Sequence, residues 1–368
     1  MHIGIPREIK AQETRVSMPP AAVADLVERG HQVLVERGAG VGSSYLDADY
    51  QKAGATLLAD AAAVFAGAEL IVKVKEPQTA ELALLRPRHI LFTFLHLAAS
   101  RDLTTGLLAT GCTAIAYETL EVNRRLPLLE PMSEIAGRMA AIVGAYHLGT
   151  YRGGRGILLS GVPGVTSGRV AVIGGGTAGI NAARVALGIG ADVTVLDVDV
   201  ERMRFLDLAL PGVRTAFSNA ANLALLLPQV DLLIGAVLVP GAKAPKLISR
   251  NLLQSMPAGS VLVDIAVDQG GCAVTTRPTT HDDPTYLAEG VVHYCVANMP
   301  GAFSRTATKA LNNATHPWTS LIADTGLSAA CQSHPPLLTG INTLAGQLTC
   351  RPVADAHQLP FTPPDQIL

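Results

Sequence analysis

The densest chemical signal in the chain lies in residues 169–197. Gly174-x-Gly176-x-x-Gly179 follows a short apolar, β-branched run, Val170 to Ile173, and opens a segment whose Ala182, Ala183, Val185, Ala186 and Leu187 suit a helix lying on a sheet. Each glycine has a mechanical use. Gly174 permits a tight turn, Gly176 lets a pyrophosphate approach the backbone, and Gly179 lets helix and strand pack closely. The helix start offers N–H groups and partial positive charge to phosphate. A second run, Val193 to Leu196, ends on Asp197, 18 residues beyond Gly179. A carboxylate there can accept hydrogen bonds from an adenosine ribose and would repel a 2′-phosphate, so the stretch predicts NAD rather than NADP. A lone glycine fingerprint is weak in a chain with 35 glycines. Strand before, helix after and acid at the right distance carry the assignment.

A second set of polar residues falls where other predicted strands stop, and ligands of open α/β sheets bind beyond the carboxyl ends of strands. Lys75 ends IVKVK, His96 ends the run ILFTFL, Asp268 follows VLVDIA and Asn298 follows VVHYCVA. Arg15 lies, with Lys10, in the loop after the first strand. Two cations, an imidazole and a carboxylate suit a small anionic substrate exchanging a hydride and protons. Singly, each has an ordinary explanation: a solvated arginine, a lysine closing an edge, a structural histidine, turn chemistry at Asp268-Gln269-Gly270. Only the shared location sets them apart. Asp264 and Glu118 are assigned structural roles.

These positions require two sheets. In the first half HIGIP, HQVLVE, ELIVKVK, HILFTFL and TAIAYE read as strands. Pro19 to Gly30, LDADYQKAGA, AAAVFAGA, QTAELALLR and SRDLTTGLLATG read as the helices between them. Such alternation implies a parallel sheet flanked by helices. MSEIAGRMAAIVGAYHLGTY reads as one helix leading into the glycine fingerprint, and GGRGILLSGVPGV as a loop. After Asp197 the alternation resumes through DLLIGAVL, VLVDIA and VVHYCVAN, followed by a helix from about Arg305 through Asn313 and past Pro317. The last fifty residues are expected to return to the first half. The expected fold is therefore α/β, two Rossmann-like doubly wound parallel-sheet domains with a cleft between them. Residues 1–127 plus 303–368 form a discontinuous catalytic domain and 128–302 the NAD-binding domain.

A chain of 368 residues has core enough for two domains. Hydrophobic residues make up 49% and charged residues 16%, which excludes a disordered chain. A net charge of −2 without a basic block, and 4% aromatic residues, argue against a nucleic-acid partner. No apolar run has membrane-spanning length, and the start MHIGIPREIKAQETR lacks a signal-peptide core. Cys112, Cys272, Cys295, Cys331 and Cys350 are scattered, with no CxxC pair, which predicts reduced thiols and a cytoplasmic location. No pattern supports a metal.

Longer strings carry a family resemblance: GIPREIKAQETRV, GAGVGSSY, VKVKEP, LFTFLHLA, LPLLEPMSEIAGRMAA, VIGGGTAG, GAVLVPGAKAP, VDIAVDQGG and VANMPGA. With them the sequence closely resembles the alanine dehydrogenases, within the wider alanine dehydrogenase and transhydrogenase family. The resemblance implies reversible, NAD-dependent oxidative deamination of L-alanine to pyruvate and ammonium by a homohexamer whose cleft closes on substrate. It implies that Arg15 and Lys75 hold the substrate, that His96 is the general acid/base and that Asp268 is a second proton-handling group. It implies NAD contacts at Ser133, Thr177, Ala178, Asp197, Arg202 and Ser218, and at Val237, Leu238, Arg277 and Asn298. Gly174, Gly176 and Gly179, with Ile265, Ala266, Val267 and Asp268 and with Val296, Ala297, Asn298 and Met299, complete the expected cofactor site. The alternatives are the NAD(H)-binding subunit of a transhydrogenase, without amino-acid chemistry, or the same fold acting on glycine and glyoxylate. The strings Lys75-Glu76-Pro77 and Leu95-His96-Leu97 favour the dehydrogenase branch. Ser304 stands where the family often has proline.

Overall fold

The computed structural model describes residues 1–237 and 244–368. Among the described residues the strands are, in chain order, β1 (His2–Ile5), β2 (Gln32–Glu36), β3 (Thr56–Leu58), β4 (Leu70–Val72), β5 (Ile90–Thr93), β6 (Thr113–Ala116), β7 (Arg169–Ile173), β8 (Asp192–Asp197), β9 (Arg214–Phe217), β10 (Leu232–Gly235), β11 (Val261–Asp264), β12 (Thr285–Ala288), β13 (Val291–Tyr294), β14 (Ile341–Leu344) and β15 (Gln347–Leu348). They form two sheets, one in each of two compact units. Met1–Met132 with Gly301–Leu368 makes the first unit, and 133–237 with 244–300 the second.

The sheet of the first unit has the order β15-β14-β6-β5-β4-β1-β2-β3. Strands β1 to β6 pair in parallel, and β14 and β15 extend the β6 edge antiparallel. The second sheet repeats the design as β12-β13-β11-β10-β7-β8-β9, parallel except for β12. Each sheet winds outward in both directions from a central pair, β1 and β4 in one, β7 and β10 in the other. That is doubly wound topology, and it leaves a topological switch point between the central strands. The central strands are covered on both faces, so they read as unbroken apolar runs: Leu70, Ile71 and Val72 are fully buried, as are Leu232, Leu233 and Ile234.

The helices follow local rules. Helix Pro20–Glu28 starts on a proline, whose missing N–H costs nothing in the first turn. Helix Arg101–Thr110 is capped by the Ser100 hydroxyl and stopped by Gly111 at φ 69°. Helix Ser304–Thr325 runs through Pro317 without a break.

Several expected boundaries shift. LDADYQKAGA is helical only over Asp47–Lys52; Gly54, at φ 88°, turns the chain into β3, which was not anticipated. QTAELALLR keeps only Thr79–Leu82 as helix. Strand β12 was also missed. It pairs with β13 through a turn at Glu289 and Gly290, both at positive φ, the geometry a tight hairpin demands. The strands of HILFTFL, VLVDIA and VVHYCVAN all stop early, at Thr93, Asp264 and Tyr294. DLLIGAVL is a strand over Leu232–Gly235; its Leu238 lies outside the described residues. Among the described residues no helix is long and apolar enough to cross a membrane.

Candidate functional site

At the switch point of the first unit, the chain leaving β1 carries Lys10, Glu13 and Arg15, and the chain leaving β4 carries Lys73, Val74 and Lys75. Arg15 is 2% exposed. Its Nε donates to Glu13 Oε1 at 2.8 Å, its Nη2 donates to Glu13 Oε2, and its Nη1 lies 3.0 Å from Met132 Sδ. Glu13 therefore occupies the Nε/Nη2 side of the fork. A ligand carboxylate gripped bidentately by Arg15 would have to meet the Nη1/Nη2 edge, where Nη1 already faces Met132 Sδ. Lys75 is 5% exposed, and its carbonyl accepts the Thr93 hydroxyl at 2.9 Å. The Lys10 ammonium pairs with Glu76.

His96 follows β5 in the left-handed region, at φ 51°. A Glu118 oxygen accepts the His96 N–H at 2.5 Å and the Leu95 N–H at 3.1 Å, which holds this unusual backbone. The same oxygen stands 4.0 Å from His96 Nδ1. The imidazole lies parallel to the Phe94 ring, with centroids 5.7 Å apart. Loss of water around the ring and the positive charges of Lys75, Lys10 and Arg15 hold the imidazole well below the ordinary histidine pKa. That direction favours the neutral imidazole near pH 7. Burial pushes the Glu118 carboxyl above its ordinary value.

The switch point of the second unit lies between β7 and β10. Gly174 sits at φ 93°, and a Cβ there would stand 2.6 Å from the Ala236 carbonyl oxygen. A Cβ on Gly179 would stand 1.8 Å from the Gly174 carbonyl oxygen. A Cβ on Gly176 would meet nothing within 4 Å. That open space adjoins the start of helix Thr177–Ile189, where Thr177 and Ala178 are the first two residues. A pyrophosphate fits this cradle, because the first N–H groups of a helix lack intrahelical partners.

Asp197, at the end of β8, is tied to the glycine turn. Its Oδ2 accepts the Gly175 N–H at 2.6 Å and its Oδ1 the Asp199 N–H at 2.9 Å. Arg202 Nε donates to the Gly175 carbonyl, and the Ser218 N–H donates to the Asp197 carbonyl at 2.8 Å. Helix Glu130–His147 approaches the same helix start so closely that a Cβ on Gly137 would stand 2.1 Å from the Ala178 carbonyl oxygen. Ser133 lies one turn earlier on that face. Val237 follows β10. Ile265, Ala266, Val267 and exposed Asp268 lie in the 3₁₀ turn Ile265–Gln269, pinned by buried Asp264, which accepts from Ala266 N, Cys272 N and Thr276 Oγ1. After β13, Val296 and Met299 are buried, Ala297 and Asn298 half-buried, with Asn298 at φ 61°. Arg277 is exposed, its guanidinium 4.0 Å from the Tyr286 ring centre.

Arg15, Lys75 and His96 are thus brought together in the first unit. The glycine turn, Asp197, Arg202 and Ser218 are brought together in the second, to which Asp268 also belongs. Sequence reasoning missed Glu13 as the partner of Arg15 and did not use Glu8 or Lys73. Glu118, assigned a structural role, proves to hold the turn that carries His96. Among the described residues no group of three or more His, Cys, Asp or Glu is placed to hold a metal.

Family models for the N-terminal and C-terminal domains of alanine dehydrogenase/PNT match residues 4–136 and 140–351. The chain belongs to the alanine dehydrogenase/PNT family. It is 54% identical to an alanine dehydrogenase of Mycobacterium tuberculosis over 100% of both chains, and 54% identical to one of Halomonas elongata over 98% of both. Among solved structures it superposes on an L-alanine dehydrogenase with a TM-score of 0.92 at 48% identity, covering 97% of this chain and 99% of that one. A transhydrogenase from Sinorhizobium meliloti gives 0.81 at 25% identity, covering 95% and 99%. The family's two domains therefore account for both doubly wound sheets.

Two outcomes follow for this site. Gly179→Ala forces a Cβ into a backbone oxygen and is expected to destabilise the second unit by about 3 kcal/mol, on the scale of overpacked interiors. Gly176→Ala should instead leave thermal stability unchanged while weakening dinucleotide binding; calorimetry with NADH fluorescence titration checks both, and equal melting temperatures for the two variants would contradict the packing argument. In NMR titration of the ligand-free protein, the His96 ring signals should show a midpoint below the ordinary value of about 6.5. Lys10→Ala removes a repelling charge and should move that midpoint upward; an unperturbed midpoint in the parent protein would contradict the electrostatic account.

Proposed function

We propose that this chain catalyses the reversible reaction of L-alanine, NAD⁺ and water to give pyruvate, ammonium, NADH and a proton. The observation that carries this reading is the gathering of Arg15, Lys75 and His96 at one switch point in a chain about half identical to alanine dehydrogenases. A transhydrogenase moves hydride between dinucleotides and has no use for a carboxylate-gripping arginine beside a neutral imidazole. The charged set therefore favours amino-acid chemistry.

Bound NAD supplies the hydride acceptor, and the residues at Gly174, Gly176, Gly179, Asp197 and the strand-end turns would hold it. Arg15 engages the alanine carboxylate along its Nη1/Nη2 edge, and Lys75 adds a second positive contact at the oxygen or amino end. This fixes the orientation of Cα. The alanine amine must be neutral before its Cα–H leaves as hydride. A neutral His96 imidazole accepts the ammonium proton. After water adds at the substrate carbon, His96 takes and returns protons as ammonia departs, with Asp268 as the second proton-handling group. Binding of the substrate carboxylate offsets the cations around His96 and so raises the imidazole's proton affinity when a proton must be held.

We further propose a homohexamer in the cytoplasm. Exposed apolar side chains in the second unit, Ile142 and Tyr146 one turn apart on a helix, with Tyr151, Leu158, Val162 and Val165, support self-association. Five unpaired, buried cysteines support a reducing compartment.

The direct test is an absorbance trace of NAD⁺ with L-alanine at alkaline pH. NADH should form with L-alanine, and formation with glycine but not alanine would favour the glyoxylate alternative. His96→Ala should lose turnover by about 10²- to 10⁴-fold while binding NADH as the parent does, and retained alanine oxidation would remove His96 from the mechanism. Asp197→Ala should erode the preference for NAD⁺ over NADP⁺; an unchanged ratio of the two kcat/KM values would refute the ribose role.

A further inference from the structure

Lys75 is useful as a ligand for substrate only if its Cα is held in place, and it lies beyond the end of β4. On one side the chain there still bonds the β5 chain, Lys73 N–H donating to the Phe92 carbonyl at 3.1 Å and Phe94 N–H to the Val74 carbonyl at 3.3 Å; the Val74 and Lys75 N–H groups are met by a side chain from elsewhere. Glu8, in the loop after β1, places Oε1 at 2.6 Å from the Val74 N–H and 3.4 Å from the Lys75 N–H. Its Oε2 accepts Lys73 Nζ at 3.1 Å, and Lys73 Nζ also donates to Glu81 Oε1 at 2.6 Å. The Tyr117 hydroxyl donates to the Lys73 carbonyl at 2.9 Å, and Thr93 closes the Lys75 carbonyl. All three charged side chains of the triad are buried: Lys73 is 0% exposed, Glu8 3% and Glu81 2%.

Stability alone is a poor reason to bury such a group. Two carboxylates and one ammonium lose much hydration, and apolar packing of the same volume is often as stable or more so. What the triad does that apolar packing cannot is fix Glu8 at both ends. The Lys73 ammonium anchors one oxygen, and the other then meets the peptide N–H groups on either side of Val74. We propose that Glu8, anchored by Lys73 and Glu81, is a positioning residue for Lys75 in the amino-acid reaction. The inference rests on the reading that Lys75 binds substrate. Glu8 touches no substrate itself; it acts through the backbone from which the Lys75 side chain springs.

The test is a double-mutant cycle between Glu8→Gln and Lys75→Ala, read as KM for pyruvate, kcat, NADH affinity by fluorescence and melting temperature. Glutamine keeps an oxygen for the N–H groups but loses the charge that Lys73 anchors. Glu8→Gln should raise the pyruvate KM by about tenfold, since misplacement of order 1 Å can cost up to 10²-fold. NADH affinity should not change. In the Lys75→Ala background the same change should have no further effect on kcat/KM. Glu81→Gln, which touches only the anchor, should show a smaller rise. Should Glu8→Gln not fold, Glu81→Gln still decides through the same cycle with Lys75→Ala. An unchanged KM in Glu8→Gln, or an equal loss with and without Lys75, would overturn the positioning role. If Lys75→Ala itself leaves the pyruvate KM unchanged, the substrate reading fails first, and this inference with it.

Discussion

Where a doubly wound sheet reverses direction, the chains leaving its two central strands part, and peptide groups that would have paired lose their partners. In this protein acidic side chains take up such groups, beyond the central strands β4 and β7 and also beyond their neighbours β5 and β11. Glu8 takes the N–H groups of Val74 and Lys75, and Glu118 those of Leu95 and His96. Asp197 takes those of Gly175 and Asp199, and Asp264 those of Ala266 and Cys272. Lys75, His96, the glycine turn and the turn Ile265–Gln269, all proposed to meet substrate or cofactor, lie beside these clamps. The opening that binds ligands and the carboxylates that brace its rim follow from the same topology.

The clamps also set the electrostatics. Other carboxylates balance the cations directly: Glu13 accepts the Arg15 N–H and pairs with its guanidinium, and Glu76 pairs with Lys10. The acids brace backbone, while burial, and after it the charges of Lys75, Lys10 and Arg15, disfavours a proton on His96. A neutral imidazole held among cations is poised for an anionic substrate. In the proposed reaction an arriving carboxylate would cancel part of the field and raise the proton affinity of the imidazole, so that one charge on the substrate would serve both recognition and proton handling.

How much of this can be read from the chain depends on the distance over which each interaction acts. The glycine turn is local, each of its roles being set by a missing Cβ, and it is legible as written. Arg15, Lys75 and His96 are legible because apolar runs end beside them. Glu8 is not, since its partner Lys73 lies 65 residues away and no local pattern links them. Glu118, 22 residues from His96, looks like ordinary strand-end polarity until the fold brings it under the turn. Strands β3 and β12 were invisible for another reason: they are short, partly exposed and lie at or near sheet edges, where tertiary pairing rather than side-chain pattern makes a strand.

The central claim is that one cation pair and one neutral imidazole define an amino-acid site. A crystal structure of the protein with NADH and pyruvate tests it most directly. The pyruvate carboxylate should lie along the Nη1/Nη2 edge of Arg15, with Lys75 within hydrogen-bond reach of the same molecule and a His96 nitrogen at hydrogen-bond distance from its keto oxygen. Pyruvate seated away from Arg15, or His96 turned from the keto oxygen with the ring packed against Phe94 alone, would contradict it.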